Sequence, residues 1–219
     1  MLVLFFIVLI GILLAVNVYV YDNSQFSKIT GHSLIAVWLN KEVRFFYKIA
    51  QKLKKVNGES KLLFNIVLPE SEHKIDYLFL HQSGVYVVSA VNLSGWINGN
   101  ERDFQWAQVL ERGQMNKFQN PIIENKLQMM DVKQYIPDID KELFHSLIVF
   151  NNSCSFKKIE VHSPEVEVIK INEIKTFWEN REDHVLSKDQ LMALYTKLDP
   201  YMQSKQPKEK MPAKDATSN

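Results

Sequence analysis

Residues 84–92 read Gly-Val-Tyr-Val-Val-Ser-Ala-Val-Asn, and the stretch from Val85 to Val91 is almost continuously apolar. A run of this kind, bounded by glycine and asparagine, is the pattern of a central strand covered on both faces. On its N-terminal side, residues 75–81 and 62–68 have the same strand-like composition. On its C-terminal side, residues 93–99 place two glycines around Trp96 and are expected to form a turn or bulge. Residues 104–110, 144–151 and 166–171 supply further strand candidates.

Helical signals flank these strands. Residues 24–55 are expected to be helical with a break near Gly31. Ile35, Trp38, Leu39, Phe46, Ile49 and Leu53 recur at three- and four-residue intervals and form one expected apolar stripe. Asn120-Pro121 opens a helix reaching about Tyr135, because proline suits the first helical turn. Residues 172–181 and 187–198 are expected to close the fold as helices, the second with a Ser187/Gln190 capping-box spacing. The fold class is therefore α/β or α+β, a three-layer body around a central mixed sheet.

Composition narrows the function. The chain is 46% apolar and 23% charged, as a folded domain requires, and its formal net charge of +1 supplies no global field for polyanions. The single cysteine, Cys154, forms no intrachain disulfide, and the six histidines include no H-E-x-x-H pair. Phosphate-binding glycine loops and the G-x-S-x-G elbow are also missing from the sequence.

Residues 1–21 contain no charged side chain. About 20 apolar residues rising 1.5 Å each span a hydrocarbon core of roughly 30 Å, which predicts one transmembrane helix. Tyr19 and Tyr21 fall where an interfacial aromatic belt would sit. A cleaved signal peptide would need a basic start and a small-x-small cleavage site, and the run ends instead in Val-Tyr-Val-Tyr. Lys28, Lys41, Arg44 and Lys48 all follow the helix, so the positive-inside rule predicts a single-pass cell-membrane protein with a cytoplasmic C-terminal domain.

Three stretches bear a more specific pattern. Ile75-Asp76-Tyr77-Leu78-Phe79-Leu80 leads into Gly95-Trp96-Ile97-Asn98-Gly99; Trp106-Ala107-Gln108 follows; then comes Asn120-Pro121-Ile122-Ile123-Glu124. The order and spacing of G-W-I-x-G, W-x-Q and N-P-I resemble the nuclease-related domain family, a branch of the restriction-endonuclease-like fold. The resemblance covers residues 39–150; with the apolar run and the polar C-terminal composition it suggests a transmembrane helix (1–21), a juxtamembrane helical linker (22–38), the nuclease-related domain (39–203) and a disordered tail (204–219).

The resemblance also implies a site. Its fold supplies an acid from the first helix, an aspartate on one strand, and a (D/E)-x-K pair on the next. Alternating strand side chains put that acid and lysine on one face. Glu42 and Asp76 match the first two positions, but Ser89 and Val91 stand where the pair should be, and Glu124 replaces the glutamine after N-P-I. Serine is a poor Mg²⁺ ligand and valine offers no charge, so the site is expected to be vestigial, with weak metal binding at most through Glu42 and Asp76. Gly95, Trp96, Gly99, Trp106, Gln108, Asn120, Pro121 and Glu124 are the positions that carry the family motif, with both tryptophans expected to pack rather than to stack on bases.

Three functions follow as expectations. One is a membrane-anchored pseudonuclease that binds nucleic acid or a protein partner. Another is an active, Mg²⁺-dependent nuclease in which Glu101 or Glu124 replaces the missing acid and Lys74 or Lys117 the missing amine. The last is a protein-interaction module at the membrane surface without nucleic acid. No cofactor is expected unless nuclease activity persists.

Overall fold

The computed structural model describes residues 1–179, 181 and 183–203 of the chain. The tail expected from residue 204 onward lies outside the described residues. Helix α1 (Leu2–Asp22) is followed by three shorter helices, α2 (Gln25–Thr30), α3 (Leu34–Leu39) and α4 (Lys41–Leu53). Then come β1 (Ser60–Val67), β2 (Lys74–His81), β3 (Gly84–Val91), β4 (Gly95–Asn100), β5 (Gln105–Val109) and β6 (Met115–Gln119). The chain closes with α5 (Pro121–Tyr135), β7 (Phe144–Phe150), β8 (Cys154–Glu160), β9 (Val166–Lys170), α6 (Ile174–Glu179) and α7 (Lys188–Leu198).

The predicted mixed α/β body is what forms. A five-stranded sheet runs in the order β1-β2-β3-β7-β9, antiparallel across β1, β2 and β3 and parallel across β3, β7 and β9. Strand β3 is central, and Val85, Tyr86, Val87 and Val88 are fully buried. One face meets α4 and α6 through Ile49, Leu53, Tyr77, Phe79 and Trp178. The other meets α5 and α7 through Leu78, Leu80, Val132, Leu191 and Leu198. Helices on both faces of this sheet make three layers. Ser187 caps α7 in the expected capping box with Gln190.

A second sheet, in the order β6-β5-β4-β8, stands beside the first. Residues 93–99 are therefore not simply a turn: after a short connection, β4 runs from Gly95 and carries an irregularity between Ile97 and Asn98. Gly99 reads as a breaker, yet any Cβ there would overlap the Trp106 ring, so packing requires glycine within the strand. Strands β6 and β8 were not foreseen, because their sequences Met-Asn-Lys-Phe-Gln and Cys-Ser-Phe-Lys-Lys-Ile-Glu are too polar to signal strand.

The single stripe expected across residues 35–53 is broken. Asn40 adopts an extended backbone (ψ 118°) and caps α4 by accepting from the Glu42 and Val43 N–H groups at 2.9 and 3.3 Å. The break resets the helical phase. Ile49 and Leu53 are buried, whereas Ile35, Trp38 and Leu39 point outward.

Tyr21 also departs from expectation. It is buried in the core of the domain, where its ring meets Tyr47 at 5.5 Å and its hydroxyl donates to the His32 carbonyl at 2.8 Å. Tyr19 remains exposed. Among the described residues, Phe5–Asp22 is one helical stretch long and apolar enough to cross a membrane.

Candidate functional site

Asp76 sits on β2 where the regular pairing with β3 stops at Tyr77 and Val88. Its Oδ2 accepts from the Ala90 N–H at 3.0 Å, so a side chain replaces the next ladder bond. Burial pushes the Asp76 pKa up to about 6, against the Ala90 hydrogen bond and the nearby Lys74 charge; Glu124 adds to the rise. Asp76, Lys74 and Glu42 line one cavity of about 200 Å³, with Thr30 and His32 of the juxtamembrane segment forming another wall.

Glu42 lies in the first turn of α4 and also borders a neighbouring cavity of about 380 Å³, with Ala90, Val91, Pro121 and Glu124. The fold thus gathers Glu42, Asp76, Val91 and Glu124 around adjoining spaces. Ser89 turns toward α5, where its Oγ accepts from Asn125 Nδ2 at 2.8 Å. The same Nδ2 donates to the Val87 carbonyl at 3.0 Å. Asn125 escaped the sequence reading, although a helix opening at Pro121 places it one turn on, facing the sheet.

The remaining motif residues hold the second sheet together and join it to the start of α5. Gly95 has φ +79°, and an added Cβ would meet the Val109 carbonyl oxygen at 2.5 Å. Trp106 is buried and donates from Nε1 to the Asn100 carbonyl at 2.9 Å. Gln108 donates to the Ser94 carbonyl at 2.8 Å. Asn120 caps α5 by accepting from the Ile122 N–H at 3.0 Å. Its amide also donates to the carbonyls of Asn100, Glu101 and Asp103 at 3.3, 3.0 and 2.7 Å. Pro121 follows in the first turn. Trp96 departs from its expected packing role: β4 alternation turns Ile97 inward and leaves Trp96 half exposed, with Lys157 Nζ 4.7 Å from its ring centre.

The candidate replacement residues separate clearly. Lys74 and Glu124 stand near Asp76, as described. Lys117 lies on an exposed position of β6. Glu101 is engaged elsewhere, accepting from Lys126 Nζ at 2.7 Å and from the His162 and Ser163 N–H groups at 2.6 and 2.9 Å. Burial pushes its pKa up, but these donors and the Ser163 hydroxyl prevail and hold the carboxyl at about 2.

Asp76 Oδ2 accepts from the Ala90 N–H and Ser89 Oγ accepts from Asn125 Nδ2, so each already has one protein partner. Among the described residues, no group of three or more His, Cys, Asp or Glu could hold a metal ion. Glu42, Asp76 and Glu124 are the carboxylates around the two adjoining cavities, and hard oxygen donors of that kind are what Mg²⁺ would call for.

Comparison with known proteins agrees with this architecture. The family model described as nuclease-related domain matches residues 40–151. An uncharacterized protein of Bacillus anthracis is 28% identical over 155 residues, which cover 67% of this chain and 70% of the relative. No solved structure matches the chain.

Proposed function

From the premise that the chain belongs to the nuclease-related domain family, we propose that it is a membrane-anchored member that no longer cleaves phosphodiesters. It serves instead as a binding or scaffold module for nucleic acid or a protein partner. The observation that carries this reading is on β3. Ser89, with its hydroxyl already bonded to Asn125, and aliphatic Val91 occupy the two positions where the family chemistry calls for an acid and a lysine. Loss of even one electrostatic donor of this general kind costs roughly 10² to 10³ in rate.

The apolar, outward-facing side chains of α1 support anchoring, since almost nothing in the protein covers them. Lys28, Lys41 and Arg44 follow that helix, which supports a cytoplasmic domain on a single-pass cell-membrane anchor. The corresponding units are the span at 1–21, the linker at 22–38, the domain at 39–203 and the tail at 204–219.

One observation favours a second reading, cleavage by migrated residues. Lys74, Asp76 and Glu42 line one cavity, and Glu124 is close enough to raise the Asp76 pKa. Against it, no group of three or more His, Cys, Asp or Glu among the described residues could hold the metal that such cleavage would use.

The test combines vesicle flotation of the full chain with nucleic-acid binding at rising salt. Flotation with vesicles and binding that falls steeply with salt, without cleavage, support a nucleic-acid-binding pseudonuclease. Flotation without nucleic-acid binding points to a protein partner. A chain that stays with the soluble fraction contradicts the anchor.

A further inference from the structure

We infer that α3 lies in the headgroup region of the bilayer, with Ile35, Trp38 and Leu39 inserted toward the acyl chains. This deepens the membrane-anchored reading and rests on it. The three side chains are 70%, 67% and 79% exposed and project from one short helix. Large apolar groups clustered on a surface mark an interaction face, and tryptophan is enriched where one side is apolar and the other wet.

The position of α3 selects lipid as the occupant. Helix α3 packs against α1, and the Tyr21 hydroxyl at the last turn of α1 bonds to the His32 carbonyl, immediately before the α3 cap Ser33. The other end of α3 is held as firmly. Arg44 Nε donates to the Val37 carbonyl at 3.2 Å, and Arg44 Nη2 bonds to the Trp38 carbonyl. Val37, on the inner side of the helix, is buried in the domain core. A segment clamped to the last turn of a membrane-spanning helix sits at the water interface, and its outward face meets lipid. Exposed Lys28 and Lys41 stand before and after α3 in the chain, alongside exposed Asp22 and Glu42, so apolar insertion rather than net charge carries the contact.

This contact fixes the pose of the domain, which a flexible tether would leave free. The cavity holding Asp76 is walled by Thr30 and His32, from the same juxtamembrane segment, and so opens close to the membrane surface. Whatever reaches that cavity does so beside lipid headgroups.

The full chain in phosphatidylcholine–phosphatidylglycerol vesicles tests the proposal, with an environment-sensitive fluorophore attached at Ile10→Cys or Leu39→Cys. Cys154 is buried and is not the labelled thiol. Nitroxide lipids carry the quencher either near the glycerol backbone or near the methyl ends. The expected result is loss of fluorescence at Leu39→Cys with the shallow quencher and at Ile10→Cys with the deep one. Ile10→Cys quenched while Leu39→Cys responds only to aqueous iodide overturns the inference and leaves anchoring intact. Leu39→Cys shielded from both iodide and lipid quenchers also overturns it, in favour of a protein cover. Failure of both labels to respond to either lipid quencher removes the anchor together with the inference. Because Leu39 is exposed, the substitution leaves the core untouched.

Discussion

The Asp76 carboxylate accepts a hydrogen bond from the Ala90 backbone N–H at 3.0 Å, joining β2 to β3 beyond their last regular pair. This residue therefore has a structural duty independent of any chemistry. It holds the adjoining strand ends at the spot where the family site is expected.

The charge on Asp76 sets a pH dependence with a definite sign. Folding raises its pKa from 3.8 to about 6, so the folded chain binds this proton more tightly than the unfolded chain. That stabilising term is complete below about pH 4 and is lost as pH rises through about 6. The Asp76→Asn variant keeps an acceptor for Ala90 without the charge. It should gain on the wild type between about pH 5 and pH 8, by at most roughly 3 kcal/mol, the free energy of a shift from 3.8 to about 6. Asp76→Ala, which orphans the Ala90 N–H, should lose about 1–3 kcal/mol at low pH. Thermal unfolding below about pH 4 and at about pH 7 checks both outcomes.

Gly99 and Trp106 form a matched pair across β4 and β5. A methyl group at Gly99 would collide with the indole, which is itself buried against Phe150 with ring centres 6.1 Å apart. Gly99→Ala should destabilise the domain by about 2–3 kcal/mol, read as a lower urea midpoint. An unchanged midpoint would contradict the packing described.

Asn120 gives a sharper test because aspartate is as good a helix cap as asparagine. Asn120→Asp keeps the acceptor for Ile122 but loses the three donations to Asn100, Glu101 and Asp103, and aims a buried carboxylate at their carbonyls. The expected loss is at least about 2 kcal/mol in urea unfolding at neutral pH. A loss confined to a few tenths would mean that capping is its whole contribution.

What could be read in the sequence depended on how local the signal was. The apolar run at Val85–Val88 announced the central strand, Asn120-Pro121 announced α5, and Ser187 with Gln190 announced α7, because each rests on neighbours in the chain. Periodicity misled at residues 35–53, where one extended residue, Asn40, turned Ile35, Trp38 and Leu39 away from the core. Strands β6 and β8 belong to a small sheet with many exposed positions, so their polar sequences gave no strand signal. At the site, Glu42, Asp76, Ser89 and Val91 could be named only through the family resemblance. The Asp76–Ala90 bond, the Ser89–Asn125 bond and the approach of Glu124 are tertiary, joining segments whose proximity only the fold creates.

The most direct measurement is cleavage of single- and double-stranded DNA and of RNA by the purified full chain, with Mg²⁺ or Mn²⁺, beside Asp76→Ala and Lys74→Ala. The account predicts that any trace product is the same for all three proteins and therefore does not come from this site. Cleavage by the wild type that disappears in Asp76→Ala, with Lys74→Ala also impaired, would contradict it and assign the chemistry to migrated residues around Asp76.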